Sequence, residues 1–182
     1  AGGWSGSESE ACDCCPGAIK ATNGKLAVFY RDNLNNVRDI WASISTDEGS
    51  TFSEGFAVDD NQWQVFSCPS SGPDGVIIGD TLYTVFLSET SCYLSRSSIS
   101  NGSMSSITKL GEAPVYGSQN FPRIDHYNNQ VAITWRGSFS GTKLYLSYTE
   151  DITNGLPFLQ DTIYDSSLTT ADVSLGEDGI HV

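Results

Sequence analysis

Short runs of apolar residues, separated by turns rich in Gly, Asn and Asp, follow one another along the chain from residue 17 onward. The run Lys25–Arg31 (KLAVFYR) is typical, since it is shorter than an average helix and carries Val, Phe and Tyr, which favour strands. The segment 39–46 (DIWASIST) alternates apolar and polar residues, as a strand with one buried face does. No segment keeps a 3.6-residue apolar period over three turns, so the pattern predicts strands and little helix.

These segments form a repeat. Each copy begins with two strands joined by a tight turn, at 17–21 with 25–31, 75–79 with 81–87, 122–127 with 130–137, and in a shortened fourth copy at 171–176 with 179–182. A third strand is predicted at 39–46, 92–98 and 143–150, and a weaker fourth at 56–59, 107–111 and 162–165. Equivalent positions lie 56, 49 and 49 residues apart, at Lys25, Thr81, Gln130 and Gly179. Four antiparallel strands repeating at this period are typical of a β-propeller blade.

The repeat therefore predicts an all-β fold, a β-propeller of four-stranded antiparallel blades with about three blades and the start of a fourth. Residues 1–16 read as a flexible lead with a cysteine cluster, and residues 17–182 as the partial propeller. The blades are expected at about 17–60, 73–113, 120–167 and, truncated, 171–182. Propellers have four to eight blades, so we expect this chain to be part of a larger one. A two-sheet sandwich, whose short strands have a similar spacing, is the alternative.

Charge narrows the range of partners. The chain has 22 acidic and 9 basic residues and a net charge of −13, which argues against nucleic acid or an anionic membrane surface as a partner. No apolar run approaches the roughly 20 residues that span a bilayer, so no transmembrane segment is predicted.

Five cysteines carry the first candidate chemistry. Cys12, Cys14 and Cys15 form a CxCC cluster, and Cys68 and Cys92 lie far along the chain. One interpretation is that Cys12, Cys14, Cys15 and Cys68 form disulfides in an oxidising compartment. The other is that the same four residues bind a metal ion as thiolates. The spacing fits zinc templates poorly, so disulfides are favoured and no metal or cofactor is assigned. The odd count implies either a free thiol or a cysteine whose partner lies in sequence outside this chain, and Cys92 is expected to be a buried free thiol.

One turn carries a recognisable motif. Residues 45–52 (STDEGSTF) follow the pattern S-x-D-x-G-x-T-[W/F] of the Asp-box, a hairpin between the third and fourth strands of a blade. The Asp accepts backbone hydrogen bonds across the turn, and Gly supplies a positive φ. We therefore expect a structural role for its defined positions, Ser45, Asp47, Gly49, Thr51 and Phe52.

With this motif the chain resembles the sialidase-like Asp-box (BNR-repeat) propellers, and more narrowly bacterial secreted members with a CxCC segment before a blade. The resemblance rests on 12–16 (CDCCP), 30–32 (YRD), 36–40 (NVRDI), the Asp-box, 68–69 (CP), 72–73 (GP) and 119–124 (QNFPRI). It implies a secreted or cell-envelope protein and a ligand site on the face around the central channel. On this map Cys15 and Cys68 precede the first strands of adjacent blades, and a bridge between them would join those blades.

The same face collects the candidate ligand-binding residues Arg31, Asp32, Arg38, Gln119, Asn120, Arg123 and Arg136. Four of the five arginines fall there, Arg96 being the exception, and guanidinium groups bind carboxylates or sulfates with two parallel hydrogen bonds. The alternative is that Arg31 and Arg38 pair with acidic neighbours between blades.

Catalysis is not assigned to any residue. A sialidase needs three arginines for the substrate carboxylate, an Asp as the acid, and a Tyr nucleophile activated by a Glu. Residues 70–73 (SSGP) lack the Asp that the resemblance implies there. We expect a non-catalytic secreted or cell-surface module that binds a glycan or anionic small ligand, or a protein or chain segment that completes the propeller. The alternative is a sialidase-type glycoside hydrolase completed by sequence outside this chain.

Overall fold

The computed structural model describes residues 11–111, 118–138, 142–154, 159–165 and 171–182. Its first antiparallel sheet contains β1 (Ala18–Thr22), β2 (Lys25–Arg31), β3 (Ile40–Ser45) and β4 (Phe56–Ala57). The second contains β5 (Asp74–Ile78), β6 (Thr81–Ser88), β7 (Ser91–Ser98) and β8 (Met104–Lys109). The third contains β9 (Gln119–Tyr127), β10 (Gln130–Gly137), β11 (Lys143–Thr149) and β12 (Leu159–Asp165). A hairpin of β13 (Ser174–Gly176) and β14 (Gly179–His181) follows, and short 3-10 turns occupy Leu34–Asn36 and Ile152–Asn154.

The order of the sheets is that of a propeller. In each sheet the strands are neighbours in chain order, and the first strands of successive sheets, β1, β5, β9 and β13, contact one another in turn. The sheets therefore fan out from a line of inner strands instead of stacking as two layers. This confirms the predicted β-propeller with three blades and the start of a fourth, and excludes the sandwich.

Apolar side chains fill the spaces between neighbouring blades. Phe29 and Ile44 of the first blade pack with Leu82 and Phe86 of the second. A second cluster between the second and third blades is centred on the fully buried Trp135, and a smaller one joins the third blade to the final hairpin. Because successive side chains of a strand point to opposite faces of the sheet, each blade can present an apolar face to the neighbouring blade.

Gly75 shows how closely the first two blades approach. A Cβ atom at this position would lie 2.3 Å from Cζ of Phe29 and 2.9 Å from the carbonyl oxygen of Tyr83. Only a residue without a side chain lets the Phe29 ring lie against β5 here, so this glycine is required by packing.

The Asp-box forms the turn after β3. Asp47 Oδ1 accepts hydrogen bonds from the Thr51 amide (2.8 Å) and the Ser45 hydroxyl (2.8 Å), and its Oδ2 accepts one from the Thr51 hydroxyl (2.7 Å). These bonds, led by the Thr51 amide, lower the pKa of Asp47 to about 2. Gly49 has a φ of 88° and donates its amide to Ser45 Oγ, so the turn uses the glycine as the motif requires.

Among the described residues, no helix is long and apolar enough to cross a membrane.

Candidate functional site

A line of contacts connects the three blades where the inner strands begin. Arg31, the last residue of β2, donates from Nη2 to the carbonyl oxygens of Leu87 (2.9 Å) and Ser71 (3.3 Å) in the second blade. The Ser71 hydroxyl in turn accepts a hydrogen bond from the amide of Phe121 in the third blade (2.8 Å). The Arg136 guanidinium lies over the Phe121 ring, with Cζ 4.9 Å from the ring centroid. We call Arg31, Ser71, Phe121 and Arg136 the central rim.

The backbone at Phe121 is unusual. Its φ is 52°, in the left-handed region that aromatic residues rarely adopt. The irregularity coincides with a register shift between Thr134 and Arg136, beyond which Arg136 pairs with Asn120. Strained backbone of this kind concentrates at functional sites. Here it presents the Phe121 ring to the Arg136 guanidinium.

Arg31 is buried and holds the blades together. It is 1% exposed, and besides its two bonds to the second blade its Nη1 donates to the Arg38 carbonyl. Its guanidinium also lies 5.1 Å from the ring centroid of Trp63. Burial lowers the pKa of Arg31 to about 10, although Asp59 and Asp39 oppose this effect, so the group stays charged at neutral pH.

Arg38 is buried as well, at 6% exposure, and its Nε donates to the carbonyl oxygen of Val65 (3.4 Å). Asp39 accepts hydrogen bonds from the Gln62 side chain (2.8 Å) and the Trp63 amide (3.2 Å). Across the described ranges, no carboxylate lies within ion-pair distance of Arg31 or Arg38. Within the described residues, Arg31 and Arg38 therefore bond to backbone carbonyls and do not form the ion pairs with acidic neighbours that were the alternative prediction.

Asp59 is the most perturbed acid near this cluster. It is 1% exposed, its Oδ1 accepts the Asn61 amide (3.0 Å), and its Oδ2 has no hydrogen-bond partner in the part of the chain that is described. Burial raises the pKa of Asp59 to about 7; the Asn61 amide opposes this, Asp39 adds to it, and Arg31 opposes it. The carboxyl is thus partly protonated at neutral pH.

The remaining predicted residues divide into buried and accessible ones. Gln119 is 2% exposed; its Oε1 accepts the Cys92 amide (2.7 Å) and its Nε2 donates to the Leu110 carbonyl (2.9 Å). Its side chain therefore joins blades and has no polar atom left for a ligand. Asp32 is half-buried and follows β2, with its backbone amide bonded to the Asp39 carbonyl (2.9 Å).

Asn120, Arg123 and Arg136 are half-buried and reach solvent. Asn120 donates to the Ser118 hydroxyl (2.8 Å), and Arg123 donates to the carbonyl of Pro122 (2.9 Å). Arg96 lies elsewhere, on β7, over the Tyr83 ring at 5.8 Å. The structure therefore places Asn120, Arg123 and Arg136 in the third blade as half-buried groups, and uses Arg31, Arg38 and Gln119 as internal supports.

Asp74, the first residue of β5, is also an internal support. It is 3% exposed, pairs with Lys20 (3.2 Å) and accepts the amides of Gly75 (3.0 Å) and Ile124 (3.1 Å). Burial raises the pKa of Asp74, while Lys20 acts against this. Its carboxylate thus links three neighbouring inner strands.

The cysteines form two disulfides, Cys12–Cys15 and Cys14–Cys68, and Cys92 is buried and unpaired. The disulfide prediction and the buried Cys92 thiol are confirmed. The expected Cys15–Cys68 bridge was wrong by one residue, because Cys15 closes a tight turn in which its amide bonds to the Cys12 carbonyl (3.4 Å). Cys14 is left to reach Cys68, and its bond still joins the lead to the loop before the second blade.

A cavity of about 370 Å³ opens at the opposite end of the inner strands, among the turns of the three inner hairpins. Its two titratable side chains already have partners: Lys25 Nζ bonds to Asp80 and to the Gly79 carbonyl (both 3.1 Å), and His126 Nδ1 lies 3.0 Å from the Asn128 carbonyl. We therefore place the candidate site at the central rim, which holds the half-buried guanidinium of Arg136.

Sequence reasoning missed three contributors. Trp63 and Phe121 carry the ring contacts of Arg31 and Arg136, and Asp59 is a buried acid whose Oδ2 has no partner among the described residues. Phe121 lies inside the 119–124 motif and could have been found as an aromatic residue between polar candidates. Neither its positive φ nor the burial of Asp59 has a local sequence pattern.

The comparisons with known proteins agree on the fold. No protein-family model matches the chain, and neither does any curated protein. The chain is similar to the solved exo-1,5-alpha-L-arabinanase from a bovine ruminal metagenomic library, with 10% identity over 97% of this chain and 72% of that one and a TM-score of 0.61. It is also similar to GH43B of the Bacteroides ovatus xyloglucan PUL (12% identity, 96% and 38% covered, TM-score 0.59). A third is the Penicillium chrysogenum alpha-L-arabinanase complexed with arabinobiose (15% identity, 87% and 53% covered, TM-score 0.56).

At these identities the likeness shows the fold alone. The chain spans 38% of the length of the Bacteroides ovatus protein. The resemblance to sialidase-like proteins therefore holds as far as the propeller fold, and the similar structures named here are arabinanases and a GH43 protein.

Proposed function

We propose that this chain is part of a secreted or cell-surface β-propeller that binds an anionic glycan at its central rim. The observation that carries the proposal is the line of contacts from Arg31 through Ser71 and Phe121 to Arg136. It ties three blades to one accessible guanidinium, which is held against an aromatic ring. A guanidinium fixed in this way is suited to a carboxylate, because its rigid fork loses little freedom on binding.

The ring and the neighbouring groups suit a sugar. Phe121 offers an apolar surface for a pyranose or furanose face, and Asn120 and Arg123 are half-buried polar groups close by in sequence on β9. Pockets for small ligands combine apolar surface with a few placed polar groups. The similarity to arabinanases, one of them complexed with arabinobiose, supports a carbohydrate ligand.

Binding is tested by calorimetry with acidic and neutral oligosaccharides, namely sialyllactose, a trigalacturonate and arabinobiose. The Arg136→Ala variant should lose about 10- to 100-fold in affinity for an acidic sugar, the size of one hydrogen bond to a charged group of roughly 1.5–3 kcal/mol. Arg136→Lys should lose most of the same affinity, because it keeps the charge and lacks the fork.

The matched control is Arg96→Ala, which removes a guanidinium on β7 that lies over the Tyr83 ring of β6. It should bind like the unmodified protein. Equal loss in the Arg96 and Arg136 variants, or equal affinity for acidic and neutral sugars, contradicts the proposal.

A glycoside hydrolase is the second candidate. It is favoured by Asp59, whose pKa of about 7 suits a general acid, and by the arabinanases of similar fold. Against it stands the 1% exposure of Asp59, since a general acid must reach the glycosidic oxygen. Hydrolysis of an aryl sialoside or aryl arabinofuranoside that disappears in Asp59→Asn would favour the enzyme. Binding without turnover would favour the binding module.

A further inference from the structure

Two neighbouring disulfides bring four cysteine sulfur atoms into one region of the fold. The Sγ atoms of Cys12, Cys14 and Cys15 all lie within 4.8 Å of one another, and Cys68 joins them through its bond to Cys14. Cys12 Sγ lies 3.7 Å from Cys14 Sγ, although these two atoms belong to different disulfides. Three of the four sulfurs therefore form one close group, and the Cys68 sulfur adjoins this group through its bond to Cys14.

The spacing of the sulfurs is close to that of a metal site. In a tetrahedral zinc site with Zn–S bonds of about 2.3 Å, neighbouring sulfurs are about 3.8 Å apart. The distance between Cys12 and Cys14 already has this value. Each bonded pair would have to open by roughly 1.8 Å, which a change of χ1 rotamer can supply. The Cα atoms, 5.4 Å apart in one pair and 5.9 Å in the other, need little movement.

Backbone contacts hold the cluster independently of its disulfides. The Cys12 amide donates to the carbonyl of Arg31 (2.8 Å), at the end of β2. On the other side, the loop that carries Cys68 is held three residues later, where the Ser71 carbonyl accepts a hydrogen bond from Arg31. Arg31 thus contacts both backbone segments through hydrogen bonds that involve no sulfur atom.

A reductant can reach the cluster. Cys14 and Cys68 are exposed, whereas Cys92 is buried at 0% exposure and stands apart from the four. Burial raises the pKa of the Cys92 thiol, so this residue supplies no thiolate at neutral pH. The four clustered cysteines can therefore be reduced and tested without a contribution from the fifth.

We propose that Cys12, Cys14, Cys15 and Cys68 bind one Zn²⁺ as a tetrahedral four-thiolate site when both disulfides are reduced. Two equivalents of a dithiol reductant supply four electrons and four protons to the two disulfides, and each dithiol becomes a cyclic disulfide. Zn²⁺ then binds four thiolates and releases their four protons to the buffer. Two equivalents of a small-molecule disulfide, with four protons from the buffer, oxidise the four thiolates back to two protein disulfides, become four thiols and release Zn²⁺. The site thus alternates between two disulfides and one zinc ion. This proposal is independent of the function proposed for the central rim.

The test uses Co²⁺ as a spectroscopic probe for Zn²⁺. The whole chain is reduced under nitrogen, freed of reductant and titrated with Co²⁺. We expect one Co²⁺ per chain, with the ligand-to-metal and visible bands of tetrahedral thiolate coordination, and displacement by one equivalent of Zn²⁺. The oxidised protein should show no such bands. Absence of the bands from the reduced protein overturns the proposal.

Variants separate the site from adventitious thiol binding. Cys92→Ala should titrate like the unmodified chain, whereas the Cys12→Ser/Cys15→Ser double variant retains two of the ligands and should lose the tetrahedral bands. Unchanged bands in the double variant overturn the proposal. Should the reduced chain lose its near-ultraviolet circular dichroism, one equivalent of Zn²⁺ is expected to restore it, as in other metal-folded domains. Failure of zinc to restore it counts against the site.

Discussion

Replacing Arg31 by methionine tests whether one buried guanidinium joins the first two blades. Methionine has a similar length and keeps the apolar part of the side chain, but it donates no hydrogen bond. The substitution leaves the carbonyls of Arg38, Ser71 and Leu87 without this donor, and Trp63 without the overlying cation.

The magnitude follows from burial. A buried acceptor left without its donor costs about 1–3 kcal/mol, so leaving three backbone carbonyls without a partner costs about 3 kcal/mol or more in total. Arg31 is 1% exposed, so water does little to compensate. We expect the free energy of unfolding to fall by about 3–5 kcal/mol, and Tm by roughly 6–20 °C for a chain of this length.

Urea unfolding followed by tryptophan fluorescence, with calorimetry for Tm, measures the loss. Arg96→Met is the matched control, because the Arg96 guanidinium on β7 lies over the Tyr83 ring of β6 and should contribute only about 0.5–1 kcal/mol. If Arg31→Met costs no more than Arg96→Met, the reasoning from buried donors is refuted.

Three further predictions concern other buried features. The pKa of Asp59 is raised from 3.8 to about 7, so the unfolded chain loses this proton at a lower pH than the folded chain, and the free energy of unfolding should fall as pH rises from about 4 to 7. Asp59→Asn should remove this part of the pH dependence. If the free energy of unfolding, measured in urea, changes equally with pH in both proteins, the prediction is contradicted. Replacing Cys14 and Cys68 together by serine removes a bridge between residues 54 apart and should lower the free energy of unfolding by about 4 kcal/mol in the chain-entropy model. The loss is measured by urea unfolding under oxidising conditions, and an unchanged midpoint would argue against the bridge. Gly75→Ala places a methyl group against Phe29 and should lower stability by about 1–3 kcal/mol; a stabilised variant in thermal unfolding would show that the blades do not pack this closely.

The arginines show how far the sequence reaches into the candidate site. The repeat predicted that Arg31 and Arg136 lie at the ends of β2 and β10, that Arg38 precedes β3 and that Arg123 lies on β9, because strand order assigns each residue a place in its blade. The repeat did not predict which arginines are buried supports and which are half-buried. Arg31 and Arg136 both come at the end of a second strand, yet one is buried and the other is half-buried. The difference depends on which loops cover each residue, and local sequence does not encode loop packing.

The sequence by itself determined the strand-rich character, the blade repeat, the Asp-box turn and the presence of disulfides, because each follows from periodicity or from the conformational preferences of a few adjacent residues. Only the tertiary structure decided which cysteines pair, that Asp59 is buried without a second partner, and that Phe121 turns its ring to Arg136. These features arise between residues tens of positions apart in the chain. Their energies depend on distances and on the exclusion of water, which exist only once neighbouring blades have packed.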